Sequence, residues 1–428
     1  MCFRFFYALL WTALLPLACL RLLWRARGEA GYLRHWKERF GGGAALPAGR
    51  WWLVHAVSVG ETRAAAPLVR AILAASEANR VLLTGTTPAG RETAAQLFGT
   101  DARVAYRWLP WDHPALVRRW LARMRPQAAL VMETEWWPGL FAACAAQGVP
   151  LALVNARLSA RSARGYARRV RGVARTMLAV PCAVLAQGRA DARRLRFLGA
   201  RQVTVCGNLK FDVPEDAAQQ TLGEQFRAAF GARPVLLLAS SRDGEEADFL
   251  AALAQADLPP EVLIAIVPRH PQRFDEVARL LERAGLPYAR RSRNEAVSQT
   301  TRVWLGDSLG ELAACYRAAD IALIGGSWRP FGGQNLIEAC AAGVPVLLGP
   351  HTWNFRDAAQ AAVTTQAAVQ VADFAAALQE AAALLRHDER RIFMAEQARR
   401  FARTHQGTCA RTLTALQQAG LDFTAPPQ

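Results

Sequence analysis

Short apolar runs alternate with longer stretches of helical period along most of this chain. In the first half, residues 51–56, 80–84, 104–109, 128–133, 151–155, 183–186 and 202–205 have the length and composition of buried strands. Residues 63–75, 89–98, 114–124 and 139–147 lie between them and read as helices. A polar stretch, 212–225, interrupts the pattern. It resumes with strands at 234–239, 262–267, 302–305 and 321–324, a helix at 275–284, and a mostly helical segment over 358–400. This alternation predicts an α/β chain: two doubly wound parallel sheets with helices on both faces. The expected divisions are 26–211 and 233–400, joined by a linker at 212–232 and followed by a C-terminal helix and tail at 401–428. Ligands of such sheets bind at the carboxyl ends of strands, so both halves are expected to face one cleft.

The most specific pattern is 325–355, GGSWRPFGGQNLIEACAAGVPVLLGPHTWNF. A strand enters it, Gly325, Gly326, Gly332 and Gly333 break the chain, a helix is predicted over 335–342, and a strand leaves at 345–348. Glycine lets backbone approach a phosphate, and the first N–H groups of a helix point at such an anion. Glu338 would stand one turn in, where a carboxylate can take two ribose hydroxyls, as in nucleotide-sugar sites. An ordinary crossover that uses glycine for close packing shares this outline.

The first residues change the picture. Residues 3–24, FRFFYALLWTALLPLACLRLLW, are almost wholly apolar, with sixteen uncharged residues from 5 to 20. That is short of the roughly 20 needed to span hydrocarbon, although Arg21 can snorkel. Arg21, Arg25, Arg27, Arg34, Lys37 and Arg39 follow as a basic cluster. A cleaved signal fits poorly, because the flank is basic and has no small-residue cleavage site. Residues 1–25 are expected to be an uncleaved anchor, spanning or lying in one leaflet, with a buried core helix as the other reading. The positive-inside rule puts the body on the cytoplasmic side.

Charge is unevenly distributed. The net charge is +17, yet residues 1–210 hold 31 Lys and Arg against 10 Asp and Glu, while 211–428 hold 21 against 25. One half therefore suits an anionic partner, either nucleic acid or anionic lipid. The anchor and the lack of a nucleic-acid module favour lipid. Eight scattered cysteines without a CxxC pair suit buried thiols, and seven histidines without paired spacing suggest no metal site.

Several strand ends carry candidate chemistry. HAVSVGE (55–61) ends the first strand, and Glu61 at the next helix start is placed to act as a general base; a macrodipole-stabilised helix-start Glu is the plainer reading. TGTTPAG (84–90) offers hydroxyls and N–H groups but is also ordinary turn chemistry. ETEWWP (133–138) puts Glu133 and Glu135 beside two Trp side chains suited to flank sugar or lipid, or makes a packed turn with one buried ion pair. The run 155–171 carries six arginines, an anion-binding face or a solvated one. In the second half, ASSRDGEE (239–246) offers Ser240, Ser241 and Arg242 to a phosphate, and VPRHPQRF (267–274) adds Arg269 and His270.

Taken in order, HAVSVGE, ETEWWP, GNLKFD (207–212), VPRHPQRF and GGSWRPFGGQNLIEACAAGVPVLLGP resemble the Kdo (3-deoxy-D-manno-oct-2-ulosonic acid) transferases of glycosyltransferase family 30. The resemblance runs from the N-terminal segment to beyond Phe355. It implies a GT-B fold of two Rossmann-like domains, the first for acceptor and the second for nucleotide-sugar. It implies inverting, metal-independent transfer of Kdo from CMP-Kdo, with no cofactor, to a phosphorylated lipid A precursor (lipid IVA) at an anionic inner leaflet. Glu61 matches the general base, Glu133 and Glu135 the acidic pair, and Lys210, Ser241, Arg242, Arg269, Asn335 and Glu338 the donor side. The family's GGHNPLEP is altered here: Gln334, Leu336 and Ala339 replace His, Pro and Pro, while Asn335 and Glu338 persist. Other readings are a UDP-sugar transferase of the same fold with a lipid acceptor, and a non-catalytic membrane-tethered binding protein.

Overall fold

A computed structural model describes residues 2–213 and 216–424. The chain forms two compact units, Met1–Val213 with Gln406–Gln428, and Pro214–His405.

The first unit holds a seven-stranded sheet of β1 (Arg50–His55), β2 (Asn79–Gly85), β3 (Val104–Trp108), β4 (Ala128–Met132), β5 (Leu151–Ala156), β6 (Ala183–Ala186) and β7 (Val203–Val205). All its pairings are parallel, in the order β3-β2-β1-β4-β5-β6-β7. Alternation across the pleat sorts its apolar residues into two cores. Trp51 and Leu53 of β1 join one, and Trp52 and Val54 join the other. That is why its strands read as continuous apolar runs. The chain leaves β1 toward β2 and β3, then returns to place β4 on the other side of β1. The boundary between β1 and β4 is therefore a topological switch point, where helices diverge and leave a crevice at the strand ends. The helix start after β1 carries Glu61, and the loop leaving β4 carries the Glu133–Glu135 pair.

The second unit repeats the plan with β8 (Val235–Ser241), β9 (Leu263–Pro268), β10 (Tyr288–Arg290), β11 (Val303–Leu305), β12 (Ile321–Ile324), β13 (Val346–Leu348) and β14 (Ala368–Gln370). Its order is β10-β11-β9-β8-β12-β13-β14, again wholly parallel. Here the switch point lies between β8 and β12, and the loops leaving those strands are the Ser240–Glu246 segment and the Gly-rich segment.

The structure departs from the expected elements in three places. Within the expected 212–232 linker lies a helix, Ala217–Phe230, capped by Asp216 and packed through Phe226 and Phe230 against Trp304 of the second unit. The edge strands β10 and β14 have three residues each, too few for a periodic pattern, and β14 interrupts the segment read as mostly helical. The C-terminal helix Thr408–Gln418 belongs to the first unit. Phe423 lies 4.3 Å from Trp52, ring to ring, and the Asp212 carboxylate accepts the N–H groups of Gly407 and Cys409.

At the N-terminus, the helix Cys2–Ala26 makes up most of a segment, Phe6–Gly28, long and apolar enough to cross a membrane. Cys144, Cys206, Cys315 and Cys340 are buried free thiols. Burial pushes the thiols of Cys144 and Cys340 up to about 12, so neither is an activated nucleophile.

Candidate active site

In the first unit, the helix after β1 begins at Val59, four residues earlier than the pattern suggests, because Ser58 caps it. The Ser58 Oγ accepts the Glu61 N–H at 3.3 Å, and Glu61 Oε2 accepts the Val57 N–H at 2.7 Å. This is close to a capping box, S-x-x-E, and it fixes Glu61 in the first turn. Burial, and next the negative charge of Glu133, push the Glu61 carboxyl up to about 7. Glu135 adds to the rise, while the Val57 N–H and Lys210 oppose it. A carboxyl tuned to neutrality exchanges a proton readily at working pH.

The two acids that act on Glu61 stand at the end of β4. Glu133 has a left-handed backbone, φ 51°, and its N–H donates to Val154 O at 2.9 Å. Lys210 Nζ lies 3.3 Å from Glu133 Oε1. Lys210, grouped with the donor residues by the sequence, is thus placed in the first unit as the counter-ion of its acidic pair. Asn155, also left-handed (φ 54°), accepts the Leu209 N–H at 3.0 Å and so fixes the turn that carries Lys210. Trp137 Nε1 donates to Glu135 Oε2 at 3.0 Å, and Trp136 stacks on Tyr166, 4.6 Å between centroids. The next helix starts at Pro138, and buried Asp112 accepts the N–H groups of Gly139 and Leu140 at 2.7 and 2.9 Å. Buried His55 stays neutral, its imidazole lowered to about 4 by loss of water. In the 84–90 loop, the Thr87 hydroxyl donates to Val57 O at 2.8 Å, so it supports the Glu61 loop. The arginine run forms two short helices, Ala160–Arg169 and Arg171–Leu178, the first with only Ala163 buried.

In the second unit, the structure brings the predicted residues to one switch point but gives several of them different duties. The Ser241 hydroxyl, expected to meet phosphate, donates to Glu246 Oε1 at 2.8 Å. Glu246 is fully buried and paired with Arg273 at 2.8 Å. Ser240 is buried with φ 57°. The N–H groups of the Gly-rich turn, expected to cradle phosphate, meet a carboxylate from within the protein. Glu245 Oε2 accepts from Gly326 at 2.7 Å and Arg242 at 2.8 Å, and Oε1 from Trp328 at 3.0 Å and Arg329 at 3.2 Å. Gly325 is required by proximity: a Cβ there would lie 2.3 Å from Ser240 O. Gly332 and Gly333 have φ of 93° and 79° and turn the loop back, the Gly333 N–H donating to Gly326 O at 2.7 Å.

The predicted anion-binding helix over 335–342 shrinks to Ile337–Ala341, and the Asn335 side chain accepts the Ile337 N–H at 3.1 Å. Five residues make too short a helix for a developed macrodipole. What remains open to a ligand is side-chain chemistry. Glu338 is exposed and accepts from Asn335 Nδ2 at 2.8 Å. Arg269 is exposed, its backbone N–H donating to Ser241 O at 2.9 Å. The guanidinium of Arg242 lies over Phe331, 4.7 Å from the ring centroid. His270 is held below its usual imidazole range by burial and then by Arg242, Arg269 and Arg273, a sign of concentrated positive charge.

Glu245, Glu246 and Arg273 were missed in the sequence. Their signal was the acidic pair closing ASSRDGEE, but nothing in it told that the carboxylates turn inward. Among the described residues, no group of three or more His, Cys, Asp or Glu is arranged to hold a metal.

Two Rossmann-like units with acidic residues at one switch point and arginines at the other have the architecture of the GT-B class. Comparison with known proteins gives the family. Residues 34–213 match the family model of the 3-deoxy-D-manno-octulosonic-acid transferases (Kdo transferases). The chain is 47% identical over 427 residues to the 3-deoxy-D-manno-octulosonic acid transferase of Bordetella pertussis, covering 96% of this chain and 98% of that one. With the Haemophilus influenzae transferase of the same name it shares 34% identity, over 91% and 92% of the two chains. The chain belongs to the Kdo transferase family. Among solved structures, UDP-GlcNAc 2-epimerase of Neisseria meningitidis, bound to UDP-GlcNAc, matches at a TM-score of 0.61 and 16% identity, over 86% of this chain and 100% of that one, a likeness of fold alone.

Proposed function

We propose that this protein transfers Kdo from CMP-Kdo to a phosphorylated lipid A precursor such as lipid IVA, with inversion at the anomeric carbon and without a metal. The observation that carries the reading is Glu61: a capped, partly buried carboxyl brought to about 7, at a switch point, in a chain of this family. Its carboxylate removes the proton from an acceptor hydroxyl. The freed oxygen attacks the anomeric carbon from the face opposite the nucleotide, the bond from that carbon to the phosphate oxygen breaks, and CMP leaves with the electron pair. The charges of Glu133, which is paired with Lys210, and of Glu135 raise the basicity of Glu61, and both acids orient the acceptor. Arg242, Arg269 and His270 meet the phosphate of CMP, with Glu338 and Asn335 toward the ribose.

The basic first unit suits a phosphorylated lipid, and the apolar N-terminal helix suits work at the cytoplasmic face of the inner membrane beside anionic lipids. Incubation of the full-length protein with CMP-Kdo and a tetra-acylated lipid A precursor, followed by mass measurement, is expected to show acceptor heavier by whole Kdo residues. Glu61→Ala should abolish the gain while CMP still binds. Transfer from a UDP-sugar and not from CMP-Kdo, or near-normal turnover of Glu61→Ala, would remove the reading.

A further inference from the structure

From Phe6 to Ala26 the N-terminal helix carries two opposed stripes. Tyr7, Trp11, Leu15, Cys19, Leu22 and Ala26 recur every three or four residues and are buried or half-buried. Contacts from this face reach the first unit directly. Tyr7 Oη donates to Asp112 Oδ2 at 2.6 Å, Thr12 Oγ1 lies 3.3 Å from His113 Nε2, and Trp11 meets Trp111 at 6.2 Å between ring centroids. On the other face Phe6, Leu10, Leu17, Leu20, Leu23 and Trp24 are each more than half exposed. From Tyr7 to Ala26 the helix rises about 28 Å, and over that distance one side is consistently less exposed than the other, with its first turns held against residues 111–113.

A spanning helix is surrounded by lipid or other spanning elements at mid-depth, where a carboxyl and an imidazole on a globular body are costly. This helix instead holds Asp112 and His113 against its own first turns. Its outer face is continuous, apolar and uncharged from Phe6 to Leu20, and it ends in Trp24, Leu33 and Trp36, all exposed, among exposed Arg21, Arg25, Arg27, Arg34 and Lys37. Apolar wall, aromatic edge and basic rim together are complementary to one leaflet with anionic headgroups.

We propose that the helix Cys2–Ala26 is a monotopic anchor that lies in the plane of a single anionic leaflet, both its ends on the same side of the membrane as the protein body. This rests on the membrane reading above. It has a consequence for the site. Asp112 holds Tyr7 and also the N–H groups of Gly139 and Leu140, which follow the Glu133–Trp137 loop. The leaflet that takes the helix therefore borders the acidic loop, and a lipid acceptor in that leaflet reaches Glu61 without leaving it.

The test places an epitope tag before Cys2 of the full-length protein in sealed inner-membrane vesicles with the cytoplasmic face outward. Protease is expected to remove tag and body together. A tag protected until detergent is added overturns the in-plane anchor while leaving the membrane reading intact. Parent protein wholly in the soluble fraction defeats the membrane reading itself, and a detergent-free soluble dimer would show that a second copy covers the face. In a second arm, Leu17→Glu with Leu20→Glu on the outer face should lower binding to phosphatidylethanolamine–phosphatidylglycerol vesicles by at least about tenfold, with CMP binding unchanged. Undiminished vesicle binding overturns the assignment of that face.

Discussion

The Glu245 carboxylate is hydrogen-bonded to the backbone of Gly326: Oε2 accepts its N–H at 2.7 Å across 81 residues of sequence. Three further N–H groups, from Arg242, Trp328 and Arg329, complete the shell. The Gly-rich turn of the second unit is thus shaped around an anion that the protein itself supplies. In the proposed function, ligand phosphate is left to the side chains around it.

Removing that anion strands four backbone donors. Glu245→Ala is expected to lower stability by about 2–4 kcal/mol, read from urea unfolding, and to weaken CMP binding. Arg269→Ala, on an exposed side chain, should weaken CMP binding with little change in the unfolding midpoint. Equal effects of the two variants on stability would contradict this division of roles.

Transfer by the parent should rise with pH through about 7, the value to which Glu61 is raised. The charge of Glu133 contributes to that rise and Lys210 opposes it. Glu133→Gln is therefore expected to move the acid limb of kcat/KM to lower pH, and Lys210→Met to higher pH. Limbs that stay in place in both variants would mean that another group titrates. Glu61→Gln should reduce turnover roughly 10²–10⁴-fold.

The same carboxyl affects folding stability. Its folded value, about 7, lies above the ordinary 4.5. Between these the folded state holds the proton more tightly than the unfolded chain, so its contribution to stability falls as pH rises. His55 has the opposite slope: it is lowered to about 4 from 6.5, and its contribution falls as pH drops through that window. The two partly cancel in the parent. Glu61→Gln should therefore gain Tm relative to the parent between about pH 5 and pH 8, and a constant difference across that range would contradict the assignment.

Two glycine substitutions separate space from backbone conformation. Gly325→Ala puts a Cβ 2.3 Å from Ser240 O and should cost about 1–3 kcal/mol or more. Gly285→Ala has open space but φ 64°, and should cost about 1 kcal/mol. Chemical denaturation of both variants measures the difference, and a smaller loss at Gly325 would mean that β8 yields easily.

Much of the fold was legible because the strands are buried on both faces. Val131 and Met132 point to different cores, yet both are apolar, so β4 appears as an unbroken run. The three-residue edge strands gave no such run. The helix Ala217–Phe230 was hidden because its contact face is sparse: Phe226 and Phe230 follow a polar stretch of Gln, Glu, Gly and Ala, all within the segment read as a linker. At the candidate site, Glu61 was legible from its place after β1, and Glu133 and Glu135 from theirs after β4. The engagement of Ser241 by Glu246 and the position of Lys210 beside Glu133 were not.

Local order was written in neighbouring residues: Ser58 and Glu61 cap a helix three positions apart, and apolar alternation makes strands, because capping and pleating act over a few residues. Which loops share a switch point, and so which charges meet, depended on the order in which strands pair. Lys210 reaches Glu133, Glu245 reaches Gly326 and Glu61 rises to about 7 only after that order is set, since burial and Coulomb interaction depend on distance in space and not along the chain.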